Sequence, residues 1–292
     1  MSLEPTLKSH RAVSIVYAML VAAVLLWASS APVTKLILPH FAPGEVALGR
    51  FLVASLLLAI TRPGWPNTRD LIPLSLIAFL SVAAYNTLMT IGLTTESSAT
   101  AGVVTGLIPV FTALGAHMLT RTRPNGLTLV GLMLSLSGVW LSASLTLFFA
   151  PLTAGMALMV IGAFAAGWSL NLQQPMLERY TPSQVTTWVI WLGTVMLLVF
   201  APGLTDSLQS APLEGIAALI YLGVLPSGVA YALWAYGLKS LNATQGSSLL
   251  YVLPLLTLVI AWVLGEPPTG YGILGATLSL LGMLLVFKAS RL

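Results

Sequence analysis

The sequence has no cysteine. This excludes disulfides, thiolate metal sites and cysteine nucleophiles, and the redox compartment cannot be read from it. Charge is scarce as well. Only 7% of the 292 residues are Asp, Glu, Lys or Arg, against roughly 25% in a soluble domain. So few charges cannot give the chain a solvated surface. The net charge of +4 is spread along the chain without a basic stripe, which argues against nucleic acid as a partner. Three histidines and eight acids, most of them in loops, form no metal-ligating cluster. There is no Walker A segment, no H-E-x-x-H and no G-x-S-x-G, so a self-contained ATP drive, a zinc peptidase and a hydrolase elbow are not expected. The expectation is no cofactor, no metal and no enzyme.

What the chain has is apolar length: 57% of it is hydrophobic. A spanning helix needs ~20 mostly apolar residues, so charge-free intervals locate the spans. They run over 12–34, 71–95, 97–120, 180–205, 215–238, 240–265 and 267–287, and the interval 124–177 is long enough for two. One further span, about 44–61, holds a single charge, Arg50. The first run exceeds a signal-peptide core of ~7–15 residues and reads as a retained helix. The runs are continuous, where barrel strands alternate apolar and polar residues. The expected fold is an all-α membrane protein of ten transmembrane helices, with 1–11 and 289–292 as cytoplasmic termini.

Charge placement sets the orientation. With the N-terminus inside, Lys8, Arg11, Arg62, Arg69, Arg121, Arg123, Arg179, Lys239, Lys288 and Arg291 all fall on the inner side, and only Lys35 falls outside. That is a strong positive-inside bias, and it places both termini in the cytoplasm.

The chain also repeats itself at an offset of about 145 residues. Tyr85 answers Tyr231, Gly92-Leu93 answers Gly237-Leu238, and Pro109 answers Pro254. Residues 131–138 and 275–282 both read G-x-x-x-S-L-x-G. With shifted offsets, Pro43 pairs with Pro182 and Trp27 with Trp168. The halves are 12–146 and 147–288. Five helices per half make the second enter from the other side, and the loop charges agree: Arg121 is matched by Glu266, and Lys239 by Thr94. Opposed halves around a midplane site suit alternating access in secondary transport; duplication that only builds a stable bundle is the other reading.

Several features together resemble one family. These are Trp27 late in the first span, Arg50 early in the second, the stretch from Gly92 to Pro109 with its repeat from Gly237 to Pro254, Gly265-Glu266, and the paired G-x-x-x-S-L-x-G segments. The chain resembles the EamA type of the drug/metabolite transporter superfamily over essentially its whole length. Its aromatic-rich spans look most like the YddG-type amino-acid exporters. The resemblance implies two inverted five-helix repeats around a central cavity lined mainly by the first, third, fourth, sixth, eighth and ninth helices. It also implies a bacterial inner membrane and export. One departure is that Glu266 has Arg121, not an acid, as its first-half counterpart.

Within those helices, Trp27, Tyr85, Trp168, Tyr231, Trp234 and Tyr251 are candidates to line the cavity, an apolar pocket with polar tips; ordinary helix packing is the alternative. Ser30, Asn86 and Asn171 add polar groups. The two amides suit a zwitterionic amino-acid backbone, or equally an interhelical hydrogen bond. Arg50 is the one charge well inside a span, a functional flag by default. It either anchors the helix, snorkelling or pairing with Glu45, or takes a substrate carboxylate or gates. Pro109 and Pro254, at equivalent sites, are hinge or packing kinks.

No acid lies deep in a span, so the expectation is export of small metabolites, amino acids first, by facilitated transport down the substrate gradient or with coupling through an unobvious group. Alternatives are a carrier of drug-like cations, nucleotide sugars or phosphate esters, and a membrane-embedded transferase. A small-molecule substrate and the bilayer are the expected partners, with the protein acting as a monomer.

Overall fold

The computed structural model describes residues 10–120, 126–142, 153–240 and 248–289. Arg121, Arg123 and the expected break between the halves lie outside them. The described chain forms ten helical rods: α1 (10–37), α2 (Pro43–Thr61), α3 (Thr68–Gly92), α4 (98–120), α5 (Gly126–Ser142), α6 (Ala154–Arg179), α7 (Pro182–Ser210), α8 (213–240), α9 (248–263) and α10 (Gly270–Ala289). Seven of them, α1–α4 and α6–α8, are long and apolar enough to cross a membrane; α5, α9 and α10 carry shorter apolar stretches. Of the span expected over 240–265, residues 241–247 lie outside the described ones; Ser248–Val252 form a 3-10 turn that becomes α-helical at Leu253 and runs to Val263.

Helix starts follow ordinary capping chemistry. Thr181 accepts from the Gln184 amide at 3.2 Å, and Gln184 returns the bond to the Thr181 amide at 3.1 Å. Such a box satisfies two otherwise orphaned N–H groups. Ser97 and Thr153 cap α4 and α6 through the amides of Thr100 and Met156. Pro43 and Pro182, a matched pair, each open their helix, where a missing N–H costs nothing.

Helix neighbours exchange when the halves are exchanged. α1 packs on α8 and α6 on α3; α2 on α8 and α7 on α3; α1 on α9 and α6 on α4. α2–α7, α4–α9 and α5–α10 pair with their own counterparts. The α5–α10 contact explains the repeated motif. A Cβ on Gly131 would meet the Gly282 carbonyl at 2.6 Å, and one on Gly138 would meet the Gly275 carbonyl at 2.5 Å. Those pairings make the two helices antiparallel, backbone against backbone. Ser135 Oγ donates to Ser279 O and Ser279 Oγ to Ser135 O, both at 3.3 Å. Small residues and reciprocal hydroxyl bonds are how helices associate without a hydrophobic driving force. α2 and α7 are also antiparallel, joined by Ser55–Thr194 at 2.8 Å and Thr61–Thr187 at 3.0 Å.

Candidate functional site

α3 and α8 each hold one π-helical segment. Phe79–Ala84 and Gly223–Val229 are π-helical, and the repeat aligns them, Ser81 with Ser227 and Tyr85 with Tyr231. A π-turn widens the helix and leaves carbonyls seeking donors, and such turns are frequent at functional sites. In α3, Asn86 Nδ2 donates to Ser81 O at 3.0 Å and Val82 O at 3.1 Å, and the Tyr231 hydroxyl donates to Ser81 O at 3.2 Å. In α8, Pro226 brings no N–H of its own, and its carbonyl accepts Trp27 Nε1 at 2.9 Å. Both irregular turns are thus held by side chains that face a shared space.

That space is a cavity of about 130 Å³. Among the described residues, every rod except α5 and α10 contributes to its wall. Trp27, Ser30, Tyr85, Asn86, Tyr231 and Trp234 line it together with Arg50. The Trp27 and Tyr231 rings meet edge to face at 5.5 Å, and Trp27 and Trp234 are tilted at 5.0 Å. Phe51 backs Tyr231 at 5.9 Å. Aromatic pairs at these separations form rigid walls with positioned polar tips. The Tyr85 hydroxyl lies 3.4 Å from Thr105 Oγ1.

Arg50 is 5% exposed. Its Nε donates to Ser227 Oγ at 2.6 Å. Among the described residues no carboxylate lies within ion-pair distance of it. Glu45, the expected pairing partner, instead accepts from the Ala42 amide at 2.9 Å and from Ser207 Oγ at 2.7 Å.

Two of the sequence candidates are placed elsewhere. Trp168 stacks on Phe164 at 5.9 Å, and Asn171 Nδ2 donates to Thr112 O at 3.0 Å and to Gly167 O at 3.3 Å. Neither lines the cavity. The Tyr251 side chain lies outside what the structure describes. Pro109 and Pro254 each stand in the first turn of an α-helical piece, Ile108–Thr120 and Leu253–Val263. The breaks before them touch, for a Cβ on Gly106 would meet the Pro254 ring at 3.0 Å.

Sequence reasoning missed Ser81, Ser227 and Thr186. The serines carried a signal, since each stands four residues before a matched tyrosine. Thr186 carried none; its hydroxyl and the Trp234 indole N–H are buried without a partner among the described residues, and both residues line the cavity.

Polar clusters stand near opposite ends of α3, about 33 Å apart at 1.5 Å per residue. At one end Asp70 accepts from Arg179 at 2.8 Å and from the Tyr180 hydroxyl at 2.7 Å. Just past the other, Lys35 donates to Glu96 O at 2.8 Å and faces Glu266 at 3.9 Å. Glu266 also accepts from the Ser98 amide at 3.1 Å and hydroxyl at 3.0 Å, and Thr153 donates to the Glu96 carboxylate.

Comparison with known proteins places this architecture. The model of the EamA-like transporter family matches residues 14–144 and again 153–288. An uncharacterised transporter of Bacillus subtilis, YdfC, is 30% identical, covering 90% of this chain and 87% of its own length. A probable terminal-alkyne amino-acid exporter of Streptantibioticus cattleyicolor is 30% identical, with 91% of each chain covered. A solved crystal structure superposes with a TM-score of 0.68 at 18% identity, covering 95% of this chain and 98% of that one, which speaks to the fold alone. Two family matches in tandem over a ten-rod membrane bundle leave one conclusion: the chain is a multi-pass membrane protein of the EamA-like transporter family, in the drug/metabolite transporter superfamily, and not an enzyme.

Proposed function

We propose that this transporter exports small neutral and aromatic amino acids by alternating access, between two inverted five-helix repeats. The observation that carries the reading is the cavity itself. A single buried guanidinium and an aromatic wall of Trp27, Tyr231 and Trp234 share one space between matched helices. The similar exporter from Streptantibioticus, described as acting on an amino acid, supports the substrate class. The antiparallel α5–α10 pair supports inversion. Inner-membrane residence, action as a monomer and cytoplasmic termini complete the reading; the last puts the Lys35–Glu266 cluster on the outer face. Pro109 and Pro254 serve as hinges.

Proton or sodium drive is absent from the proposal because such carriers use an intramembrane acid or ion site, and no acid lines the cavity. Purified protein in liposomes preloaded with unlabelled phenylalanine should accumulate the labelled form by exchange, with no imposed ion gradient. A strict requirement for a proton gradient would overturn the uncoupled mechanism, and failure to exchange any neutral amino acid would overturn the substrate class.

A further inference from the structure

The paired prolines set an offset of 139 residues between α2 and α7, so Val189 is the counterpart of Arg50. Both line the cavity. A nearly symmetric chamber therefore carries one charge at one end and an isopropyl group at the equivalent place. Of the eight acids in the sequence, seven fall among the described residues, and none lines the cavity. The bond from Nε to Ser227 fixes the plane of the guanidinium and leaves its two terminal amino groups without a protein acceptor among the described residues. That fork matches a carboxylate in two parallel hydrogen bonds.

Ser227, Tyr231 and Trp234 recur on one face of α8, Trp234 roughly 10 Å along the axis from Ser227 at 1.5 Å per residue. Beyond the guanidinium the wall is thus aromatic, with the partnerless Trp234 N–H within it. We infer that Arg50, held by Ser227, is a carboxylate subsite that orients the solute with its apolar end against Trp27, Tyr231 and Trp234, and that the solute's amino group is not a recognition element. The substrate class is then apolar monocarboxylates: amino acids together with their deaminated counterparts, and not amines. This deepens, and rests on, the carrier reading above.

Isothermal titration of the purified full chain in detergent tests it, with four matched solutes as probes: phenylalanine, phenylpyruvate, phenethylamine and phenylalaninamide. The two acids should bind within about fivefold of each other, and the two solutes without a carboxylate at least tenfold more weakly, as expected when one charge-assisted fork is lost. Arg50→Gln should shrink that preference below about threefold. Ser227→Ala, a milder change that keeps the charge, should reduce acid affinity several-fold and leave amine affinity unchanged. Size-exclusion profiles establish which variants are folded; should Arg50→Gln not fold, Ser227→Ala decides. Phenethylamine binding as tightly as phenylalanine, phenylpyruvate failing to bind, or a folded variant keeping the wild-type ratio of acid to amine affinity would each overturn the subsite. The carrier reading fails separately: acids that bind in this order without exchanging across liposomes keep the subsite and remove the carrier.

Discussion

At the scale of single residues, two tryptophans on one wall differ in what their N–H groups do. Trp27 Nε1 satisfies the Pro226 carbonyl inside an irregular turn, whereas Trp234 Nε1 has no partner among the described residues. Replacing each by Phe keeps a ring and removes a donor. Trp27→Phe strands a carbonyl beneath the rings and should lower stability by about 1–3 kcal/mol. Trp234→Phe removes no protein hydrogen bond and should cost under about 1 kcal/mol, the ring-size change alone. Thermal unfolding in detergent compares them; equal losses would contradict the assigned hydrogen bonding. Part of this wall was legible beforehand, because Tyr231 matches Tyr85 at the repeat offset and Trp27 and Trp234 stand out in so apolar a chain. Trp168 and Asn171 were equally conspicuous, yet they point toward α4. Sequence gives the helix a residue belongs to, but which neighbour its face meets depends on how the rods pack, and the π-turns of α3 and α8 have no reliable residue signature.

At the scale of elements, the repeated G-x-x-x-S-L-x-G segments are a close-contact seam, with Gly131 and Gly282 backbone to backbone. A Leu at either glycine must push α5 and α10 apart. Gly131→Leu should destabilise by at least about 2 kcal/mol, at the upper end of overpacking costs. Ser135→Ala should cost only about 0.6 kcal/mol, since hydroxyl bonds between membrane helices are weak on average. Urea or thermal titration separates the two, and a tolerated Leu would mean that the seam is loose. Boundaries were less legible than helices. Charge-free intervals find apolar length, but they cannot show that α9 turns from 3-10 to α-helix at Leu253 or that α4 breaks at Gly106, because backbone pitch leaves the hydropathy of the interval unchanged.

At the scale of the whole molecule, α1, α4, α6 and the α9–α10 turn meet at one end through Lys35, Glu96, Ser98, Thr153 and Glu266. The Lys35–Glu266 pair, a third exposed on both sides, is worth at most about 1 kcal/mol. Glu266 has more to lose, for it also takes two donors at the start of α4, where negative charge is favoured by the helix dipole. Glu266→Ala should therefore open that end more than Lys35→Ala does. With no native cysteine to interfere, a single cysteine in place of Thr34 reports this by its rate of maleimide labelling, and equal rates in the two backgrounds would refute the ranking. The breaks in α4 and α9 bear on the lipid rather than the solute. The pieces beyond them, Ile108–Thr120 and Leu253–Val263, have 13 and 11 residues, roughly 20 and 16 Å at 1.5 Å per residue. Both fall short of a hydrocarbon core of about 30 Å. Under the proposed hinges and alternating access, a lever that short swings from mid-membrane while its other half stays seated, so neither leaflet has to stretch or thin. Exchange rates should accordingly vary little between bilayers of short and long acyl chains, where a carrier that rocks full-length rods would slow with every ångström of mismatch.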